Sequence, residues 1–130
     1  MNIEKVQLKR ALELFKAKGF TIKFSVDIRC SHVKHYAYDT GERCIERATI
    51  VIKSDESYIR QLTGLLHEAG HILDKSTLKY GADYGHINKY ECEVRAWNVA
   101  RALAKKYKFK IDEEYAKHCL STYDKYRQAA

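Results

Sequence analysis

The chain has 130 residues, of which 45% are hydrophobic and 32% charged, and its formal net charge is +7 at pH 7. This length gives one domain with its own core and leaves no room for a second, so residues 1–130 are expected to form a single domain. The composition excludes a disordered chain, and no apolar run fits a leader or a membrane span, which predicts a cytoplasmic protein without a membrane partner. Basic residues are scattered along the chain, so the charge permits a nucleic-acid partner but does not indicate one.

The first predicted element is a helix over residues 2–18. Asn2 can cap its start, and Gly19 follows its end, where a left-handed residue is common. Its predicted apolar stripe consists of Val6, Leu8, Leu12 and Phe15. A strand over residues 20–28 follows, because five apolar residues alternate there with polar ones: Phe20, Ile22, Phe24, Val26 and Ile28.

A hairpin is predicted next, with arms at residues 33–38 and 44–53 joined by Asp39-Thr40-Gly41-Glu42. The stretch 48–52 is rich in β-branched residues and should be well packed.

Three helices complete the predicted fold. Ser54-Asp55-Glu56 supplies a cap and an acidic first turn for a helix that continues to about residue 74. A third helix covers residues 87–107, and Asp112 opens a fourth whose inward residues are Tyr115, Cys119, Leu120 and Tyr123. The order of one helix, three strands and three helices predicts an α+β fold with an antiparallel or mixed sheet.

The helix that ends near residue 74 carries His67-Glu68-Ala69-Gly70-His71, an HExxH sequence. Histidines four residues apart lie on one face of a helix, about 6 Å apart along its axis, so both imidazoles can bind one Zn²⁺. Glu68 is rotated off that line and lies where a general base is required. Gly64 and Gly70 keep the bulk near the histidines low. The sequence therefore predicts a zinc site with His67 and His71 as ligands and Glu68 as the catalytic base.

A catalytic zinc site generally has three protein ligands, and the candidates for the third lie downstream. Glu93 shares one face of helix 87–107 with Ala96, Trp97 and Ala100, and the two alanines would allow a close approach to the motif helix. Glu91 is about 200° around the same helix from Glu93, so the two cannot both bind the ion. Glu93 is the first choice, and Glu91 and His86 remain open.

The segments His67-Glu68-Ala69-Gly70-His71 and Glu93-x-x-Ala96-x-x-x-Ala100 together resemble the ImmA/IrrE-type metallopeptidases, a gluzincin-like group of bacteria, phages and mobile elements. The resemblance covers about residues 45–107. It implies a minimal zincin-like domain, a Zn²⁺ cofactor, Glu93 as the third ligand and a protein or peptide substrate such as a transcriptional repressor. The similarity to zincins also implies that the strand Ala48 to Lys53, which leads directly into the motif helix, binds an extended substrate at a sheet edge. Trp97 departs from the family, which often has Asn there.

Two alternative functions remain open. Gly85-His86, which follows His71 by fifteen residues, resembles the third-ligand segment of SprT-like, DNA-associated metalloproteases, and that resemblance implies His86 as the third ligand. The other alternative is a zinc-binding interaction module without catalysis. In a peptidase that uses Glu93, His86 is either a solvent-exposed loop residue or a hydrogen-bond donor to the transition state. Three tyrosines could equally be that donor: Tyr80, Tyr84 and Tyr90.

Smaller signals have plain structural interpretations beside functional ones. Asp74 could fix the tautomer of a ligand histidine or be an ordinary carboxylate at a helix end. Cys92 is expected to be a packed thiol, and all four cysteines are expected to be reduced. A second metal site in the hairpin region has spacings that match no common zinc module; its members would be Cys30, His32, His35 and Cys44.

Overall fold

The computed structural model describes residues 2–28, 31–38, 45–74 and 89–127. In chain order the elements are α1 (Ile3–Ala17), β1 (Phe20–Ser25), β2 (His32–Tyr38), β3 (Ile45–Lys53), α2 (Tyr58–Leu73), α3 (Lys89–Tyr107), α4 (Glu113–Ser121) and a 3₁₀ turn at Asp124–Tyr126. This is the predicted α+β order. In the described part of the chain, no helix combines the length and the apolar character that crossing a membrane requires.

The three strands form one mixed sheet in the order β1-β3-β2. β1 pairs with β3 in parallel, with Ile22 opposite Ile50, and β2 pairs with β3 antiparallel, with Val33 opposite Ile50. The two predicted hairpin arms are therefore confirmed as an antiparallel pair, and their connection lies outside the described residues. The prediction that residues 48–53 bind a substrate at a sheet edge is wrong, because β3 is the central strand and both of its edges are already paired.

α1 begins and ends as the sequence predicts. The backbone N–H of Lys5 donates to Asn2 Oδ1 at 3.1 Å, and Gly19 adopts φ +96°, a left-handed conformation that closes the helix at little steric cost. Leu8 and Phe15 of the predicted stripe are buried, but Val6 is 42% exposed. Ala11 is fully buried on the same face.

β1 is shorter than the predicted strand and ends at Ser25. Phe20, Ile22 and Phe24 share a face, but Phe20 is buried, Ile22 is half-buried and Phe24 is 44% exposed. Val26, beyond the end of the strand, is exposed as well. The alternation predicted which side chains share a face. The alternation could not predict that the burial of this face decreases toward the end of an edge strand.

α2 begins later than predicted, with Ser57 rather than a residue of 54–56 as its cap. The hydroxyl of Ser57 accepts from the backbone N–H of Arg60. The preceding residues form the turn instead: the N–H of Ser54 donates to the carbonyl of Ser25, and the carbonyl of Glu56 accepts from Gln61 Nε2 at 2.8 Å. This turn fixes the start of α2 at the end of the sheet.

The core lies between the sheet and the helices. α1 packs against β1 and α2, and α2 packs against β2, β3 and α3. The largest fully buried side chains come from all of these layers: Phe15, Ile50, Ile52, Leu62, Leu65, Leu66, Ile72 and Trp97. α2 therefore lies at the centre of the fold, where its position is determined from several sides.

α4 begins where predicted, because Asp112 Oδ1 accepts from the backbone N–H of Tyr115 at 3.0 Å. The predicted inward face is only partly correct, since Ala116 is the buried residue of α4 and the four predicted residues are half-buried. The N–H of Asp112 donates to the hydroxyl of Thr63 at 2.9 Å, and that hydroxyl donates to the carbonyl of Ile59 at 2.7 Å. This pair of bonds attaches the start of α4 to α2.

Replacing Thr63 with Val should lower the free energy of unfolding by about 1–3 kcal/mol, because the N–H of Asp112 would lose its acceptor in a partly buried place. Urea unfolding measures the change. Thr21→Val, on an exposed position of β1, is the matched control and should change stability by less than about 0.5 kcal/mol. Equal losses in both variants would show that the Thr63 bond contributes nothing.

Candidate metal centre

The HExxH segment lies in the second half of α2, as predicted. His67 and His71 are one turn apart, with ring centroids 4.6 Å from each other and ring planes inclined by 57°. One donor atom from each of His67, Glu68 and His71 lies within 4.8 Å of the other two. Among the described residues, these three form a group that could hold a metal ion.

The facing helix α3 brings Glu93 to the same point. Glu93 is buried, and its Oε2 atom is 2.8 Å from Nε2 of His67 and 2.7 Å from Nε2 of His71. One carboxylate oxygen therefore contacts both imidazoles at the nitrogen that each presents to the other helix. The predicted face of α3 is confirmed, since Glu93, Ala96, Trp97 and Ala100 are all buried there.

Gly70 makes this approach of the two helices possible. A Cβ atom at Gly70 would overlap the carbonyl oxygen of Ala96 and would lie 3.1 Å from its carbonyl carbon. The backbone of α3 thus occupies the space that a side chain of α2 would need. The sequence predicted low bulk at Gly70 and a close approach at Ala96, and the structure shows that these two positions are in direct contact.

His67 is held on both edges and on one face. At one edge its Nδ1 atom is 3.2 Å from Oε1 of Glu68, and at the other its Nε2 atom contacts Glu93. On one face the ring of Trp97 stacks on the imidazole, with centroids 4.0 Å apart and planes 4° from parallel. His71 is more open, with 25% of its side chain exposed against 12% for His67. The site is therefore closed on the side of His67 and more accessible on the side of His71.

The charges of the site are strongly coupled. Burial by itself would lower the pKa of His67, but the carboxylates of Glu68 and Glu93 outweigh it and raise that pKa to about 9. Burial would raise the pKa of Glu93, but the hydrogen bonds from His67 and His71 dominate and hold the pKa well below its usual value. At neutral pH His67 is thus a buried cation between two carboxylates.

Of the other two candidates for the third ligand, the structure describes Glu91, which lies away from the site. The side chain of Glu91 is 67% exposed, and its Oε2 atom is 3.7 Å from Nη2 of Arg95. His86, Tyr80 and Tyr84 fall outside the described residues, so the predictions for them stay predictions. Tyr90 is described, and its ring lies 5.1 Å beneath the guanidinium of Arg127.

Asp74 connects the end of α2 to α3. It is buried, and its Oδ2 atom is 3.9 Å from Nε of Arg95. Cys92 is buried as predicted, and burial raises the pKa of its thiol, with a further contribution from the charge of Asp74. The structure thus gives Asp74 a role in joining the two helices. Its predicted role as a partner of a ligand histidine stays a prediction.

The proposed second metal site is not tested. Cys30 and Cys44 fall outside the described residues, while His32 and His35 lie on β2.

Sequence reasoning missed the contact between Trp97 and His67. The sequence marks Trp97 only as a departure from a family pattern and as a member of the buried face of α3. A signal is present, because Trp97 follows Glu93 by four residues and so lies one turn along on the same face.

Comparison with protein-family models, curated proteins and solved structures finds no match for this chain. The functional assignment therefore rests on the donor set itself. Two imidazoles and a neighbouring carboxylate on one helix of an α+β fold form a group of metal-binding type. The site could hold a metal ion. Which ion it holds, and what the site does with it, are matters for proposal.

Replacing Gly70 with Ala should abolish metal binding and lower the free energy of unfolding by about 1–3 kcal/mol, because the new methyl group must push α3 away. Helix propensity alone predicts the opposite sign, a gain of about 0.5–1 kcal/mol. Gly64→Ala on the same helix is the matched control, since its Cβ would lie 3.2 Å from the hydroxyl of Ser31, a single side chain that can adjust. Metal titration and urea unfolding check both variants, and a Gly70→Ala protein that binds metal normally would refute the packing argument.

Metal affinity and metal-free stability should change with pH in opposite directions. The folded-state pKa of His67, about 9, exceeds its ordinary value of 6.5, so its stabilisation of the metal-free protein is present below pH 6.5 and is lost as the pH rises through 9. A metal needs the unprotonated nitrogen, so affinity should increase by up to about tenfold per unit between pH 7 and 9.

Titrations with Zn²⁺ or Co²⁺ in two buffers of different ionisation enthalpy would count the protons released. Replacing the exposed His118 with Gln should leave both trends unchanged. A metal affinity that stays constant between pH 7 and 9 would show that metal binding displaces no proton from His67 in this range and would contradict the raised pKa.

Proposed function

We propose that this protein is a zinc-dependent metallopeptidase in which His67, His71 and Glu93 bind the ion and Glu68 is the general base. One observation carries the proposal: a carboxylate oxygen of α3 lies within 2.8 Å of Nε2 of both histidines of an HExxH helix. A core packed only for stability has no need for two imidazoles and two carboxylates at its centre, since burying such groups is costly.

The chemistry of the donors fits zinc. Two imidazole nitrogens and one carboxylate oxygen are an established ligand set for catalytic zinc, and they leave a fourth position open. With bonds of about 2.0–2.1 Å in tetrahedral geometry, two ligand atoms lie roughly 3.3 Å apart. The contacts from Glu93 to the two histidines, 2.8 and 2.7 Å, are shorter by about half an ångström, a difference that small side-chain rotations can supply.

A bound zinc ion would polarise the scissile carbonyl and lower the pKa of water at the open position. The residues of the chain supply the rest. Glu68 is buried and contacts Nδ1 of His67 at 3.2 Å, so in the proposed mechanism its carboxylate would turn toward the open position, accept a proton from the attacking water and deliver it to the leaving amine. Trp97 and Glu93 close the inner side of the site, so the substrate approaches from the side of His71.

An extended peptide substrate fits the outer edge of β2, which pairs with no further strand among the described residues, better than the paired strand β3. β2 is antiparallel to β3 and lies at an edge of the sheet. Ser31, which precedes β2, lies beside Gly64 on α2, and Gly64 shares a helix face with Glu68 one turn later. A strand added to β2 would therefore pass along the face of α2 that carries the base. The ImmA/IrrE resemblance favours a transcriptional repressor as the protein that is cut.

The SprT-like alternative assigns the third ligand to His86 and associates the protein with DNA. The contacts of Glu93 with both histidines support the first assignment, since one of its carboxylate oxygens lies within 2.8 Å of Nε2 of each. A zinc-binding module without catalysis uses the same donors, so only activity separates it from a peptidase.

Replacing Glu68 with Gln should preserve bound zinc and the fold but reduce kcat by about 10²–10⁴, because an amide of the same size cannot accept the proton. Glu93→Gln should instead weaken zinc binding by more than the roughly 100-fold that loss of a hydrogen-bond partner of a ligand costs. The measurements are zinc content and cleavage of cellular proteins, followed by mass spectrometry.

Glu91→Gln, two residues away on the same helix, is the matched control and should change neither quantity. If His86→Gln loses zinc while Glu93→Gln retains it, His86 is the third ligand and the SprT-like hypothesis is favoured. If the protein binds zinc but cleaves no protein, a zinc-binding interaction module without catalysis is favoured.

A further inference from the structure

Trp97 lies face to face with His67 at the base of the site. The ring centroids are 4.0 Å apart and the planes differ by 4°, and the indole is 1% exposed. Glu93 lies one turn earlier on α3 and contacts the same imidazole at Nε2. α3 therefore holds His67 in two ways, at one edge through a carboxylate and on one face through an aromatic ring.

A buried tryptophan can be an ordinary core residue or can hold a functional side chain in place, and the geometry separates these two cases. Phe15, an equally buried aromatic residue, stacks on Phe20 with centroids 5.9 Å apart, a contact between two apolar rings. Trp97 instead covers a polar, ionisable ring that carboxylates hold at both nitrogens. Tilting that imidazole out of its plane would drive it into the indole, so the stack fixes the plane in which Nε2 points, while the carboxylates at both nitrogens fix which edge faces Glu93.

We propose that Trp97 is a positioning residue for the metal site: it sets the plane of the His67 imidazole so that Nε2 is directed to the point where Glu93 and His71 converge. This inference rests on the metal site of the proposed function but not on peptidase activity. The face of an indole is negative and attracts a ring that carries positive charge, so it attracts the imidazole of His67 both when the ring is protonated and when it binds a cation. Trp97 therefore orients the ligand in either form.

The test compares two substitutions of similar size. Trp97→Phe keeps an aromatic face against His67, whereas Trp97→Met fills much of the same space without one. Truncation to Ala is avoided because the cavity alone could unfold the protein. Phe15→Leu, away from the histidines, is the control for a general loss of core packing.

Zinc affinity is measured by competition with a chelator, and the Co²⁺ absorption spectrum reports ligand geometry. We expect Trp97→Met to bind zinc roughly tenfold more weakly and to alter the Co²⁺ spectrum, while Trp97→Phe stays within about threefold of the wild type. Phe15→Leu should lose stability but keep both the affinity and the spectrum. Rescue by Phe is the result that a purely structural role would not give.

The chain contains a single tryptophan, so its fluorescence reports this contact alone. Co²⁺ bound by His67 should strongly quench the emission of Trp97 in the wild-type protein, at one equivalent of ion. The role of Trp97 alone is overturned if the wild type binds zinc and a folded Trp97→Met variant binds it equally well, with the same Co²⁺ spectrum. A wild type that binds neither ion overturns the metal site and with it the proposed function.

Discussion

At Gly70 the backbone of α2 meets the backbone of α3, and the remainder of the site depends on this contact. A side chain at Gly70 would need the space that the Ala96 carbonyl occupies. Because the two helices meet this closely, the short side chain of Glu93 can reach both histidines and Trp97 can lie flat on His67. Glycine inside a helix costs about 0.5–1 kcal/mol relative to alanine, so its presence here is explained by the approach it permits.

The same contact places charged groups where they are expensive. Glu68, Glu93 and most of His67 are removed from water, and each would be strongly destabilising without a partner. They are partners of one another: the imidazolium of His67 lies between two carboxylates, and Glu93 also contacts His71. A proton thus balances the carboxylates in the metal-free protein, and a metal cation would replace that positive charge within the same set of donors.

The sequence was informative where the determining contacts are local. The spacing of His67 and His71 and the buried face that includes Glu93 both follow from the helical repeat, and the structure shows both. The predictions that were wrong concern features that depend on contacts with residues distant in sequence. The central position of β3 follows from its parallel pairing with β1, and the exposure of Phe24 follows from how far the helices extend over the sheet. The spacing of apolar residues in the sequence predicts neither the pairing of β1 with β3 nor the extent of the helices over the sheet.

The arrangement around His67 also separates the inner side of the site from the outer side. Trp97 and Glu93 reach His67 from α3, in the core of the protein, whereas His71 has twice the exposed fraction of His67, 25% against 12%. An ion held between the two histidines would therefore meet water on the side of His71, while the ring of His67 stays fixed. In the peptidase proposed above, the ligands must hold their geometry while the open position exchanges, and a buried inner half with an accessible outer half suits that requirement.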